Sequence, residues 1–275
     1  MASKISKERT ISSVILVIIA LATILPGGLV LALTLYLISN VAFLELTKAC
    51  GIRTGKKLNA LEITGLLAIA VYYLLIYFAE THTYFMITVI LLLMALMVVY
   101  VFSFPKFTAN QVMATYFSLI YAPIMLSFVF LTRQLAYGAY LVWMIFVSSW
   151  ISDTCAYLVG VLFGKHKLVP HLSPKKTIEG SIGGILGSAV VGGLFGFFLL
   201  DKAMGVNYFW IVLSVIGAIG SVISQVGDLA ASAIKRNHDI KDYGNLIPGH
   251  GGIMDRFDSV IFTAPMIYFL IILFL

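Results

Sequence analysis

The sequence predicts an all-α membrane protein with about nine transmembrane helices. Hydrophobic residues make up 61% of its 275 residues and charged residues only 11%, with a mean hydropathy of +1.03. This composition excludes a soluble globular domain. Many apolar runs approach the roughly 20 residues that a helix needs to cross the hydrocarbon layer. The two cysteines, Cys50 and Cys155, are far apart and indicate neither a disulfide framework nor a cysteine metal site.

Apolar runs separated by short polar segments define the predicted spans. They are 11–25, 29–49, 61–78, 84–102, 111–131, 137–163, 181–200, 208–236 and 255–275. The basic residues before the first run could belong to a signal peptide, but no small-residue cleavage site precedes Pro26 and a second span follows at once. We divide the chain into an N-terminal region, 1–135, with spans one to five, and a second region, 136–275, with spans six to nine and two polar motifs.

The basic residues indicate the orientation. Net charge is +6, and the 18 Lys and Arg lie mostly in short loops, as expected for topology signals rather than for nucleic-acid binding. Placing the N-terminus in the cytoplasm puts all of them except Arg133 and Lys202 on the cytoplasmic side. We therefore predict that both polar motifs face the cytoplasm.

Span eight carries a polar face. Ser221, Ser224, Asp228, Ser232 and Lys235 recur at steps of three or four residues, so they share one side of a helix. A carboxylate at membrane depth costs roughly 2.5–3.5 kcal/mol, so it is rarely without a function. The alternative is a structural acid paired to a neighbouring lysine.

A polar loop joins span eight to span nine. Its Gly-rich segment, 248–252, can bring backbone N–H groups close to an anion. Asp255 and Asp258 follow, three residues apart on one face of the next helix. Carboxylates from two helices beside bases and a Gly-rich turn predict a metal ion that holds a polyphosphate. Alternatively, the two acids only favour a helix N-terminus, and His250 is structural.

The second polar motif follows Asp153 in span six. The loop FGKHKLVPHLSPKKTIEGS, residues 163–181, has four Lys, two His and several hydroxyl residues, a composition typical of anion binding. Ser173-Pro174 with Glu179 predicts a helix start, where backbone N–H groups favour phosphate. The alternative is that these lysines are topology signals that bind anionic headgroups.

Two further features concern packing. A ridge of small residues at four-residue spacing in span seven predicts close approach of another helix. It consists of Gly184, Ser188, Gly192 and Gly196. Glu45 and Glu62 lie at the ends of spans, and we interpret them as packing or snorkelling residues.

The residues around spans eight and nine resemble a known family, the phosphatidate cytidylyltransferases or CDP-diacylglycerol synthases. The family signature is matched by Ser232, Lys235-Arg236, Lys241-Asp242, Gly244, Pro248, His250-Gly251-Gly252, Asp255-Arg256 and Asp258. A second block is similar at Asp153-Thr154, Ser173-Pro174-Lys175-Lys176-Thr177 and Glu179-Gly180. The resemblance is strong over 140–275, and the N-terminal half matches only in its hydrophobic pattern.

The resemblance implies conversion of CTP and phosphatidate to CDP-diacylglycerol and pyrophosphate by an integral, all-helical membrane enzyme. It implies Mg²⁺ as the cofactor, with room for a second cation. It also implies a protein of a bacterial-type cytoplasmic membrane whose active site faces the cytoplasm. It implies a homodimer, and CTP, phosphatidate and membrane lipid as partners. The metal ligands would be Asp228, Asp255 and Asp258. The catalytic residues would be Lys235, Arg236, Lys241, Arg256 and His250. Substrate would be bound by Asp153, Ser173, Lys175, Lys176, Thr177, Ser232, Gly251 and Gly252.

Two other functions fit part of the pattern. A CTP-dependent polyprenol or lipid kinase could use the same metal and bases, but the complete signature favours cytidylyl transfer. An ion-coupled transporter could use Asp153 and Asp228, but the internal repeats often found in transporters are not apparent.

Overall fold

A computed structural model describes residues 2–53, 55, 57–78, 83–205, 208–247, 249 and 251–274, with the side chains at 2–11, 13, 83–85 and 204 not described. Its elements follow the apolar runs of the sequence. The helices are α1 (Ala2–Ile24), α2 (Gly28–Ala49), α3 (Ala60–Phe78), α4 (Thr83–Phe102), α5 (Ala109–Gln134), α6 (Gly138–Phe163), α7 (Ile178–Ala203), α8 (Phe209–Asn237) and α9 (Met254–Phe274). Two short strands, β1 (Lys167–Val169) and β2 (Ser173–Thr177), lie between α6 and α7.

The all-α membrane fold predicted from the sequence is confirmed. Within the described residues, seven helices, α2, α3 and α5–α9, are long and apolar enough to cross a membrane. Two shorter apolar stretches, Val14–Ile24 and Met86–Phe102, belong to α1 and α4. Each predicted span therefore corresponds to a helix. The count of nine membrane crossings and the side of the N-terminus stay predictions.

Two compact units divide the chain. Unit 1 comprises Met1–Phe130 and His238–Arg256, and unit 2 comprises Leu131–Asn237 and Phe257–Leu275. The segment between α8 and α9 thus packs with the N-terminal helices. The division at residues 135 and 136 that the sequence suggested is a functional one, and it stays a prediction.

Buried tyrosines join the helices of unit 1. The Tyr73 hydroxyl lies 2.8 Å from the Ser39 hydroxyl, and the Tyr72 hydroxyl lies 2.7 Å from that of Ser127. These bonds link α3 to α2 and to α5. Because a hydroxyl in an apolar interior is costly without a partner, the pairs fix how these helices pack.

Small residues let the helices of unit 2 approach closely. A Cβ added to Gly184 would lie 2.9 Å from the Ser152 carbonyl oxygen, and one on Gly192 would lie 2.6 Å from that of Leu213. Gly217 of α8 approaches the Ser188 carbonyl in the same way. The predicted ridge on α7 is therefore confirmed, with α6 and α8 packed against it.

The predicted helix start at Ser173-Pro174 is wrong. These residues belong to β2, which pairs antiparallel with β1 through Lys167 with Thr177 and Val169 with Ser173. Helix α7 begins at Ile178, and Thr177 is its N-cap, accepting a bond from the Gly180 N–H at 3.1 Å. Thr177 and Pro174 both suit a helix start. Because residues 173–177 pair with β1, the helix starts after Thr177.

Candidate active site

The residues predicted from the sequence fall into two groups, one in each unit. In unit 2, charged side chains on α6, β2, α8 and α9 form what we call the carboxylate–lysine cluster: Asp153, Lys176, Asp228, Lys235 and Asp258. In unit 1, the signature loop comprises His238–Arg256. Each group is described by itself.

The polar face of α8 enters the interior of unit 2. Ser221 and Ser224 are buried, whereas Asp228, Ser232 and Lys235 are half-buried, so the face runs from the core towards the helix end. The Ser221 hydroxyl lies 2.7 Å from that of Ser152 on α6. Gln225, also on α8, bonds to Ser181 of α7 through its side chain. The inner end of the predicted stripe, together with Gln225, is thus a buried polar connection between three helices.

Lys176 forms an ion pair with Asp228. The lysine comes from β2 and the acid from α8, and their side chains are 26% and 28% exposed. The pair matches the alternative that Asp228 is neutralised by a neighbouring lysine. A metal cation at this position would compete with the lysine for the same carboxylate oxygens.

Asp258 lies close to two other carboxylates. It interacts repulsively with Asp228 and Asp153 and attractively with Lys235. Its Oδ1 also accepts a bond from the Ser259 N–H at 2.8 Å. A Cβ on Gly227 of α8 would lie 2.9 Å from the Asp258 carbonyl oxygen, so the two helices are in close contact here. Opposed carboxylates of this kind attract positive charge.

The β-hairpin supplies the second motif. Glu179, in the first turn of α7, accepts bonds from the backbone N–H groups of Lys165 (3.1 Å) and His166 (3.2 Å) and lies 2.6 Å from the His166 ring nitrogen. Glu179 therefore fixes the start of the hairpin. Of the predicted substrate-binding residues here, Thr177 is a buried helix cap, Ser173 is half-buried and Lys175 is exposed.

Asp255 fixes the signature loop to the start of α9. Its Oδ2 accepts bonds from the N–H groups of Tyr243 (2.8 Å) and Gly252 (3.0 Å). Gly251 lies between these two attachments with a φ of +83°, a conformation that other residues rarely adopt. Asp255, predicted as a metal ligand, is thus engaged by backbone groups, and its metal role stays a prediction.

Glu45 of α2, interpreted from the sequence as a packing or snorkelling residue, contacts the signature loop. Its carboxylate accepts bonds from the N–H groups of Ile253 (3.1 Å) and Met254 (2.8 Å), at the start of α9. The only signal in the sequence is a carboxylate within an apolar span. Its partners lie more than 200 positions away, so no local spacing identifies them. Glu62, by contrast, is fully buried and bonds to Arg53 at 2.7 Å, as expected for a packing residue.

The other predicted residues are placed as follows. The basic residues Arg236, Lys241 and Arg256 are exposed, Asp153 is exposed, and Gly252 is buried. Pro248 and His250 lie outside the described residues, so the predicted role of His250 stays a prediction.

The carboxylate–lysine cluster suits a divalent cation with few protein ligands. Within the part of the chain that the structure describes, no three His, Cys, Asp or Glu side chains are grouped closely enough to form a metal site by themselves. Mg²⁺, however, is usually held by one or two carboxylates together with waters and substrate phosphates. The hard oxygens of Asp228 and Asp258, which repel each other, fit that pattern.

The fold and these groups define an integral membrane protein whose charged residues suit phosphate esters. Comparison with known proteins gives the family. The chain belongs to the cytidylyltransferase family, whose model matches residues 7–274. It is therefore a nucleotidyltransferase by family.

Curated relatives match over nearly the whole chain. A phosphatidate cytidylyltransferase of Bacillus subtilis is 34% identical over 275 residues, covering 98% of each chain. Those of Staphylococcus saprophyticus and Staphylococcus aureus are 33% and 35% identical, covering 97% of this chain and 99% of theirs. The family model and these relatives extend through the N-terminal half, which matched only in hydrophobic pattern when the sequence was considered alone.

Proposed function

We propose that the protein is a phosphatidate cytidylyltransferase that converts CTP and phosphatidate to CDP-diacylglycerol and pyrophosphate. The observation that carries the proposal is the carboxylate–lysine cluster on otherwise apolar helices. Opposed acids on membrane-spanning helices, beside Lys235 of α8 and Lys176 of β2, suit a reaction between a polyphosphate and a lipid phosphate. The names of the curated relatives support the same substrates.

The reaction requires little acid–base chemistry from the protein. A phosphatidate oxygen forms a bond to the α-phosphorus of CTP, the bond from that phosphorus to the bridging oxygen breaks, and pyrophosphate leaves with the electron pair. A phosphate monoester is largely ionised at pH 7, since its second pKa is about 6. Catalysis therefore depends on positioning the two phosphates and on neutralising their charge.

We assign the neutralising groups to unit 2. Lys176 and Lys235 are half-buried, so their charges are less screened than those of exposed lysines. Lys176 is paired with Asp228 in the structure, and an incoming phosphate can take over its ammonium group. The freed carboxylate then becomes available for a cation. Charge is thus exchanged within the cluster rather than left uncompensated at membrane depth.

Mg²⁺ is the cofactor we propose, held by Asp228 and Asp258. When bound, it supplies positive charge to the phosphate oxygens. Asp255 stays a predicted further ligand: its contacts assign it to the loop, and a carboxylate has enough acceptor sites for a second partner. The proposal also includes a second cation and a homodimer.

The position of the label distinguishes this reaction from its alternative. The purified protein is incubated with Mg²⁺, a lipid acceptor and CTP labelled at either the α- or the γ-phosphorus. We expect α-label in the lipid and γ-label in pyrophosphate, with phosphatidate as the preferred acceptor. γ-Label in the lipid would instead indicate the CTP-dependent lipid kinase.

The proposed orientation has its own test. In a background with Cys50→Ser and Cys155→Ser, single cysteines near Arg53 and Lys106 should react with a membrane-impermeant reagent only from the cytoplasmic side. Cysteines near Gly27 and Lys202 should react only from outside. The reverse pattern would overturn a cytoplasmic active site.

A further inference from the structure

Glu45 lies far from the motifs in sequence, but its carboxylate contacts the signature loop. We propose that Glu45 is a positioning residue for the cytidylyl transfer, one that holds the loop and the first turn of α9 in their active conformation. The inference rests on the proposed function and adds a residue of the N-terminal half to it.

The first argument concerns the start of α9. The first N–H groups of a helix have no partner within the helix. Glu45 accepts bonds from two of the groups at this end, those of Ile253 and Met254, with one carboxylate oxygen for each. Negative charge at a helix N-terminus is also favourable. Glu45 therefore fixes where α9 begins.

The second argument concerns space. A Cβ added to Gly252 would lie 2.5 Å from both Glu45 carboxylate oxygens, and one added to Gly244 would collide with the same group. Both glycines belong to the signature, and neither has a positive φ. Their small size is therefore required by the approach of Glu45.

The third argument concerns the loop between these contacts. Asp255 bonds the N–H groups of Tyr243 and Gly252, and the Ile247 N–H bonds the Gly251 carbonyl at 2.8 Å. The carboxylates of Glu45 and Asp255 thus accept hydrogen bonds from four N–H groups on the two sides of the loop. Asp255 is part of the loop segment itself, whereas Glu45 ties that segment to α2.

Activity measurements test the role directly. A misplacement of about 1 Å can cost roughly 10²-fold in rate, so we expect Glu45→Ala to lower kcat per folded protein about 10- to 100-fold with little change in KM for CTP. Glu45→Gln keeps one of the two acceptor oxygens, so its kcat should fall less than that of Glu45→Ala and stay within about fivefold of wild type. Asn40→Ala is the control, because the Asn40 side chain donates to the Tyr36 carbonyl oxygen one turn earlier in α2 and makes no other hydrogen bond among the described residues.

A double substitution tests the contact itself. Gly252→Ala alone should lower kcat, because its new methyl group displaces the Glu45 carboxylate. In the Glu45→Ala background that carboxylate is missing, so adding Gly252→Ala should cost less than twofold more. Effects of the two substitutions that simply multiply would overturn the proposed contact.

Hydrogen exchange gives a measurement that does not depend on activity. The Ile253 and Met254 amides should be protected in the wild type and exchange at least 10-fold faster in Glu45→Ala, with Asn40→Ala unchanged. Wild-type kcat in Glu45→Ala, or unchanged exchange at both amides, would overturn the inference. If Glu45→Ala does not fold, Gly252→Ala takes its place and should show the loss of kcat and the faster exchange, with Glu45→Gln less affected on both measurements. A wild-type protein with protected amides but no cytidylyl transfer would contradict the proposed function alone.

Discussion

The two groups of acids differ in what they contact. In the signature loop, the carboxylates of Glu45 and Asp255 accept bonds from four backbone N–H groups. In the carboxylate–lysine cluster, Asp228 is paired with a lysine side chain, and Asp258 interacts with charges on neighbouring elements. A carboxylate bonded to backbone groups fixes the chain. A carboxylate paired with a lysine side chain can instead bind a metal cation when that lysine moves to a phosphate.

The largest expected effects come from the acids of the cluster. Asp228→Asn and Asp258→Asn keep the size of the side chain but remove its charge. Loss of one charge-stabilising group from a preorganised site typically costs about 10²–10³ in rate, so each variant should lose that much kcat while the protein still inserts and folds.

Asp239→Asn is the matched control. Asp239 is exposed and has a φ of +53°, a conformation that asparagine also tolerates, so its kcat should stay within about twofold. Because Asp228 and Asp258 act on one cation in our proposal, the double variant should be little worse than either single one. Multiplied losses would contradict a shared cation.

The next effect separates two adjacent lysines. Lys176→Met removes the partner of Asp228 and a half-buried positive charge, and hydrogen bonds to charged groups contribute about 1.5–3 kcal/mol. We therefore expect kcat/KM for CTP to fall about 10- to 100-fold. Lys175 is also a substrate-binding residue by the family resemblance, but it is exposed, so we expect Lys175→Met to lower kcat/KM no more than about twofold. Equal losses of kcat/KM in both variants would indicate that the lysines attract anionic substrates only through the overall positive charge of the hairpin.

The sequence predicted the helices and the polar face of α8 well. Long apolar runs have few alternatives to a membrane helix, and the spacing of Ser221, Ser224 and Asp228 fits only one helical face. The sequence did not determine the partner of Asp228, because a neighbouring lysine and a metal ion both fit the pattern. The structure shows the pair with Lys176, which an antiparallel hairpin brings close.

The contacts of Glu45 and the β-hairpin could not be predicted from the sequence. Nothing local to Glu45 indicates that it caps α9, because the two segments meet only in the folded chain. Ser173-Pro174 resembled a helix start because proline suits a first helical turn. Strand pairing with Lys167–Val169 is a tertiary effect that local preference does not reveal.

The smallest effect is expected at the hairpin. Thr177 caps α7 and is buried, so Thr177→Ala should lower the free energy of unfolding by about 1 kcal/mol, whereas Thr177→Ser keeps the hydroxyl and most of the stability. Thermal unfolding in detergent measures both. A loss of kcat in Thr177→Ala with unchanged unfolding would instead support the predicted contact with substrate.

The dependence of activity on Mg²⁺ tests most directly whether the two groups of acids have separate tasks. The assay follows transfer of label from α-labelled CTP into lipid over a range of Mg²⁺ concentrations for wild type, Asp228→Asn and Glu45→Ala. We expect the half-saturating Mg²⁺ concentration to rise at least tenfold in Asp228→Asn and to stay within about twofold in Glu45→Ala, although both lose kcat. An unchanged Mg²⁺ dependence in Asp228→Asn, or an equal shift in both variants, would contradict the account.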